Sequence, residues 1–237
     1  MTLNQIHQGD CLELMKELES DSIDMLLCDL PYGVTSRNEW DIVIPLDLMW
    51  VQFKRVCKTN SAIVLTCQHP FTSALVHSNL KSFKYEWIWS KAPTGFLSSK
   101  HRPLQSHENV LVFCYGKLNY NPQGLKPFGK MSGGSNNQSK NYESSKPKGI
   151  TEFTNYPRSI IAFGPDRPIL HPTQKPVALF EYLIRTYTKT DQLVLDPCIG
   201  SGTTAVACLN TQRNFIGIDL SLEYVQLANK RVDEWWD

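Results

Sequence analysis

Apolar residues fall into short blocks along the chain, and the spacing inside each block decides the element. Ile23–Cys28 is a continuous apolar run bounded by turn residues, the pattern of a strand buried on both faces, and Ala62–Thr66 repeats it. Tyr85–Ser90 and Asn109–Tyr115 also read as strands. Between them, Leu46–Cys57 carries helical spacing, and Pro70–Asn79 predicts a helix with Pro70 in its first turn. A second series follows residue 158. Pro176–Tyr187 is an amphipathic helix, Leu193–Asp196 a strand, Thr203–Leu209 a helix, Asn214–Asp219 a strand and Leu222–Val232 a last helix. Repeated β-α units predict an α/β fold, a mostly parallel sheet with helices on both faces.

The pattern breaks once. Residues 117–158 are rich in Lys, Asn, Ser, Gly, Pro and Tyr, and Met131–Ser145 has almost no large aliphatic side chain. The run Ser132–Ser139 predicts a loop, mobile until something binds. The expected organisation is one domain in two halves, 1–116 and 159–237, with 117–158 inserted.

Charge changes the picture only locally. The 237 residues hold 24 Lys and Arg against 23 Asp and Glu, a net charge of +1, which excludes a polycation or an acidic tail protein. The insertion holds Lys117, Lys126, Lys130, Lys140, Lys146, Lys148 and Arg158 against Glu143 and Glu152, a net of +5, so the remainder carries −4. Tyr120, Tyr142 and Tyr156 interleave with those bases, a mixture suited to phosphate contact and base-edge readout, though a solvated basic linker has the same composition. Lys91, Lys100, His101 and Arg102 extend the basic set. No apolar run is long enough to span a membrane, and no signal peptide is visible. The seven cysteines, with no C-x-x-C pair, read as reduced thiols of a cytoplasmic protein and not as a zinc site.

Chemistry is expected beyond the carboxyl ends of the strands. Leu193–Leu195 runs into Asp196-Pro197-Cys198-Ile199-Gly200-Ser201-Gly202-Thr203-Thr204. Gly200 and Gly202 permit a tight turn and close approach to a ligand, and Asp196 can accept from an amino group. The next strand ends at Asp219, followed by Leu220, where a ribose diol would lie. Gly200, Gly202 and Ala205 also satisfy a dinucleotide fingerprint. The acidic opening of the loop and the absence of a following substrate domain favour S-adenosylmethionine over NAD. Ile23–Cys28 runs into Asp29-Leu30-Pro31-Tyr32: an acceptor at a strand tip, a stiff turn and an aromatic face. His171-Pro172-Thr173-Gln174-Lys175-Pro176 opens a helix, and reads either as an ordinary proline start or as a set in which Thr173, Lys175 and nearby amides hold a carboxylate.

Together these elements resemble the exocyclic-amino DNA methyltransferases, which methylate adenine N6 or cytosine N4. Asp29-Leu30-Pro31-Tyr32 resembles their catalytic D/N/S-P-P-Y tetrapeptide, Asp196–Thr204 their cofactor loop and His171–Pro176 the motif preceding it. Gly9-Asp10-Cys11 resembles the segment bordering the cofactor's adenine, and Glu86–Lys91 and His107–Leu111 later parts of the catalytic half. The order, catalysis first and cofactor loop last, is that of the permuted β class, which carries target recognition between the halves. The resemblance implies a Rossmann-like methyltransferase fold with a circularly permuted motif order and a seven-stranded sheet bearing one antiparallel strand. Two positions depart from the pattern. Leu30 stands where Pro is usual, a position that contributes a backbone carbonyl. Cys198 stands where Phe is frequent. Pro197-Cys198 is not the nucleophile of a cytosine C5 enzyme, because it lies inside the cofactor loop.

The resemblance further implies a mechanism. Asp29 and the Leu30 carbonyl accept the two amino hydrogens, Tyr32 stacks on a flipped base, and neither a metal nor a covalent intermediate is needed. Gly33–Asp41 follows the tetrapeptide and is placed to close over the base, with Trp40 serving there or as a core anchor. Asp in the first position favours adenine N6 over cytosine N4. Double-stranded DNA is the expected partner, with a homodimer and a cognate restriction endonuclease left open. The competing readings are a cytosine N4 enzyme, a relative acting on RNA or a protein amide, a DNA-binding module with a dead pocket, and an NAD oxidoreductase.

Overall fold

The computed structural model describes residues 1–33, 43–132, 149–166 and 174–236. The chain forms two compact units, Met1–Asn121 with Ser159–Asp237, and Pro122–Arg158.

The larger unit is built on one sheet. Its strands are β1 (Gln5–Gln8), β2 (Ile23–Asp29), β3 (Cys57–Cys67), β4 (Phe83–Thr94), β5 (Gln105–Phe113), β8 (Ile160–Ala162), β9 (Leu193–Asp196) and β10 (Asn214–Asp219). Their order is β1-β10-β9-β2-β3-β5-β4-β8, and β5 alone runs antiparallel to its neighbours. The expected seven strands become eight. The additional strand is β8, which pairs parallel to β4 through Ile88↔Ile160. Its side chains are exposed or half-buried, and the short apolar run Ile160–Phe163 that contains it was not read as a strand. Pairing also lengthens β4 and β5 beyond their predicted apolar cores.

Alternation along the central strands sorts the core into two layers. Ala62 and Val64 of β3 join Met25, Leu27, Val110 and Val112 beneath α4 (Val177–Tyr187), α5 (Thr203–Asn210) and α6 (Leu222–Trp236). Ile63 and Leu65 join Ile23, Leu26, Leu111 and Phe113 on the opposite face, beneath α2 (Leu46–Val56) and α3 (Phe71–Ser78). Each covering helix shows the stripe this requires, as with Met49, Trp50, Phe53 and Val56 of α2. The short α1 (Cys11–Leu14) is capped by Asp10, whose Oδ1 accepts from the amides of Leu12 at 2.7 Å and Glu13 at 3.2 Å.

The connections diverge between β9 and β2. From β9 the chain passes through α5 to β10 on one side; from β2 it passes through α2 to β3 on the other. Adjacent strands whose crossovers leave in opposite directions open a crevice at their carboxyl ends. Asp196 and Asp29 end those two strands.

The smaller unit contains β6 (Lys126–Ser132) and β7 (Gly149–Thr154), paired antiparallel through Lys126↔Thr154 and Lys130↔Thr151. The loop expected over Ser132–Ser139 is corrected at Ser132, which ends β6, and the two strands of the insertion were not foreseen. β6 carries Lys126 and Lys130, β7 mixes Thr and Glu with Ile150 and Phe153, and the pairing that makes them strands joins residues far apart in sequence.

Gly202 adopts φ +83°, and a Cβ there would stand 2.8 Å from the Ala228 Cβ and 3.0 Å from its Cα on α6. Replacing Gly202 with Ala imposes a left-handed non-glycine residue and an overlap with backbone. We expect the variant to lose about 2–4 kcal/mol of stability, measured by urea denaturation.

Candidate active site

A cavity of about 1210 Å³ opens at the crevice between β9 and β2. Asp29, at the tip of β2, faces it with three partners. Its Oδ1 accepts from the hydroxyls of Tyr32 and Thr66, and its Oδ2 from the Lys175 ammonium at 2.6 Å. Thr66 is the register partner of Asp29 on β3, so the parallel ladder itself delivers that hydroxyl. Lys175, two residues before α4, is 6% exposed. It also meets Glu108 Oε2 at 3.4 Å, an ion-pair distance at which that buried oxygen has no hydrogen-bond partner. Glu108 Oε1 accepts from Lys91. Four charges of alternating sign thus run Asp29–Lys175–Glu108–Lys91.

Burial alone would lower the Lys175 pKa, but the adjacent Asp29 and Glu108 carboxylates raise it above its ordinary value. Burial would likewise raise Glu108, yet Lys175 and Lys91 hold it below the usual carboxylate range. Both groups are charged at neutral pH. Tyr32 is pushed well above its ordinary value by burial and by the Asp29 charge, so its hydroxyl stays a donor. The Tyr32 ring lies 5.7 Å from Phe71, and the Lys175 ammonium stands 5.8 Å from its centroid.

Across the crevice, the loop after β9 is folded around two carboxylates. Asp196 Oδ1 accepts from the Cys198 amide at 3.1 Å and Oδ2 from the Thr204 hydroxyl. Burial pushes Asp196 up to about 7, against the hydrogen bonds that favour its charged form. Asp219 Oδ2 accepts from the Gly200 amide at 2.8 Å and Oδ1 from the Ser221 amide at 2.9 Å. Thr203 donates to the Lys175 carbonyl at 3.3 Å, so the loop touches the segment that carries the ammonium.

Asp10, Cys11, Asp29, Leu30, Pro31 and Tyr32 line this one cavity. So do Lys175, Asp196, Pro197, Cys198, Gly200, Thr203, Asp219 and Leu220. Gly202 stands behind the loop against α6. Lys175 lines the cavity with its ammonium already paired to two protein carboxylates, a different use from the expected grip on a ligand carboxylate. Among the thiols, Cys198 has side-chain hydrogen bonds to Cys11, which works to lower its pKa, and to Cys28. The Cys28 contact and burial prevail and push it well up, leaving a neutral thiol. Thr173, His171, Pro172 and Trp40 lie outside the described residues, as do Lys140, Lys146 and Lys148. Lys117 is exposed, as are Lys126, Lys130 and Arg158, with the Lys130 ammonium 5.3 Å from the Phe128 ring. Among the described residues no cluster of His, Cys, Asp or Glu could hold a metal ion, and no helix is long and apolar enough to cross a membrane.

Thr66, Gln68, Glu108 and Tyr224 were not assigned from sequence. Thr66 is recoverable only from the β2–β3 register, and Glu108 only from its meeting with Lys175, 67 positions further along the chain.

Residues 23–230 match the family model described as DNA methylase. The type II methyltransferase M2.MboI of Moraxella bovis is 29% identical over 97% of this chain and 87% of its own length. The DNA adenine methyltransferase YhdJ of Escherichia coli is 26% identical over 96% of this chain and 82% of its own. The crystal structure of the M1.HpyAVI–SAM complex superposes with a TM-score of 0.67 at 27% identity, covering 97% of this chain and 98% of that one.

Two outcomes follow from the charges. Lys175→Met leaves the buried Glu108 with Lys91 as its remaining counter-ion and should cost about 3–5 kcal/mol, and adding Glu108→Gln should recover part of that loss. Denaturation of the single and double variants measures the coupling. Asp196 has a folded value raised above its ordinary 3.8. Its contribution to stability is therefore greatest below about pH 4 and is lost as pH rises toward about 7, at no more than ~1.4 kcal/mol per pH unit. Stability measured against Asp196→Asn should show that difference growing across the window and then levelling.

Proposed function

The chain belongs to the exocyclic-amino (N6/N4) DNA methylase family, and from that premise we propose that it transfers the methyl group of S-adenosylmethionine to the N6 amine of adenine in DNA. The observation that carries the reading is the meeting of two strand tips in one cavity: the Asp29 tetrapeptide on one wall and the Asp196–Thr204 loop on the other.

The donor set suits the cofactor. Asp10, Asp196 and Asp219 make one end of the cavity acidic, matched to a ligand carrying an ammonium, a sulfonium and a ribose diol, and Gly200 leaves the loop open, with nothing within 4 Å of where its Cβ would stand. When bound, that cofactor supplies an electrophilic methyl group. The protein's task is then to hold and orient the amine. An exocyclic amine is a weak nucleophile because its lone pair delocalises into the ring. Hydrogen bonds from both amino hydrogens, to the Asp29 carboxylate and the Leu30 carbonyl, localise that pair on nitrogen. As the new N–C bond forms and the methyl–sulfur bond breaks, the nitrogen must give up one proton. Asp29, facing the cavity, is the group placed to accept it or pass it to water.

Tyr32 must first release Asp29. Its hydroxyl occupies the carboxylate that the amine needs, so base entry exchanges one donor for another and frees the ring to stack. The target base leaves the duplex at a cost of a few kcal/mol, which stacking at roughly 1–3 kcal/mol offsets in part. The choice of adenine rests on Asp in the first position of the tetrapeptide and on the adenine specificity carried by the name of the YhdJ relative. The exposed Lys126, Lys130 and Arg158 supply phosphate contacts in the same reading.

Incubating unmethylated genomic DNA with the protein and methyl donor, then mapping modified bases, should yield N6-methyladenine at one sequence. N4-methylcytosine in its place would replace the adenine assignment. Asp29→Ala should abolish transfer while cofactor affinity, read by calorimetric titration, stays within about threefold.

A further inference from the structure

The turn joining β4 to β5 takes no part in holding the cofactor or the amine. It begins at Gly95, four residues beyond Lys91, which lines the cavity, and leads into β5, whose Glu108 lines it too. β4 runs parallel to β2, so the turn projects from the same sheet edge as Asp29. Gly95, at φ +86°, reverses the chain into a 3-10 turn, Phe96–Ser98. Amide bonds then fix it: Ser98 to the Gly95 carbonyl at 3.0 Å, His101 and Arg102 to the Ser98 carbonyl at 2.9 and 3.1 Å. At its tip Phe96 is 64% exposed and Leu97 103% exposed, so the Leu97 side chain touches almost nothing of the protein.

Two apolar side chains held outward on a rigid support are costly to leave in water, and their surroundings indicate what they meet. Lys100, His101 and Arg102 follow directly and are all exposed, and no carboxylate lies between Lys91 and His107. A basic collar around an apolar tip is complementary to a phosphate backbone flanking stacked bases. A protein partner leaves the one-signed collar without a reason, and an anionic lipid surface, which would suit both leucine and collar, leaves the position beside the cavity without one.

We propose that Phe96 and Leu97 form a wedge that enters the DNA base stack and takes the space vacated by the extruded base, with Lys100 and Arg102 clamping the adjacent phosphates. The proposal rests on the methyltransferase reading. Leu97 lies six residues from Lys91, at most roughly 20 Å along an extended chain, so wedge and cavity can engage the same site. Apolar side chains inserted between base steps unstack and kink a duplex, and here the insertion holds the base out of the helix while it is methylated.

The test uses the full chain and two duplexes carrying the mapped recognition site. In one the target base is paired; in the other it faces an abasic position, so that leaving the stack is cheaper. The double substitution Phe96→Ala, Leu97→Ala should lower kcat/KM at least about tenfold on the paired duplex and less than about threefold on the abasic one. Lys100→Gln with Arg102→Gln should flatten the dependence of binding on salt. Equal losses on both duplexes, or none on the paired one, would overturn the wedge. An unsubstituted protein that methylates neither duplex would overturn the methyltransferase reading itself, a result distinct from the other two.

Discussion

The Lys175 ammonium is the interaction on which the site depends. Three distant stretches converge on it: the β2 tip through Asp29, β5 through Glu108, and the start of α4 through the lysine itself. A charge this deeply withdrawn from water is tolerable only among opposite charges, and the two carboxylates meet that demand. The requirement is mutual. Glu108 is equally buried, and Lys91 is its second counter-ion. The tip of β2 is thus tied to both flanks of the crevice. The loop after β9, through Thr203 and the Lys175 carbonyl, is joined to the same point.

The same arrangement holds the tip of β2 in shape. Asp29 accepts hydrogen bonds from Tyr32, Thr66 and Lys175, and Tyr32 packs against Phe71. In the proposed reaction an entering amine would replace one donor with another, an exchange close to neutral in hydrogen bonding. Thr66 and Lys175 are held by ladder and ion pair, so the proposal makes Tyr32 the partner that moves. On the opposite wall the acidic residues have been spent on structure first. Asp196 and Asp219 accept from the loop's own amides and the Thr204 hydroxyl, and these bonds shape the surface a nucleoside would meet.

Much of this was legible in the sequence. Continuous apolar runs marked β2, β9 and β10, because strands buried on both faces have no polar side to interrupt them. The residues that end those runs, Asp29, Asp196 and Asp219, were readable as chemistry because a parallel sheet puts strand ends at the ligand edge. The loop glycines were read as a close approach to a ligand, whereas Gly202 makes room for Ala228 of α6. The ribbon of β6 and β7 left no such trace, since its order comes from pairing and not from an apolar pattern, and β8 sits in a run of four apolar residues that was not read as a strand.

The sequence by itself determined the layering, the strand tips and the two motifs, because periodicity and local turn chemistry act over a few residues. The tertiary structure alone decided what those motifs do to one another. Lys175, readable from sequence as part of a proline helix start or as a grip on a ligand carboxylate, is the counter-ion of Asp29 and Glu108. Thr66 became an Asp29 partner through register, and Tyr32 turned its hydroxyl onto the carboxylate it was expected to leave free. Each outcome depends on desolvation and on charges brought together across more than thirty positions of chain, except Tyr32, whose partner is three residues away but whose orientation is set by the packing of Phe71. Burial and pairing energies exist only once the chain has folded, so no local pattern could carry them.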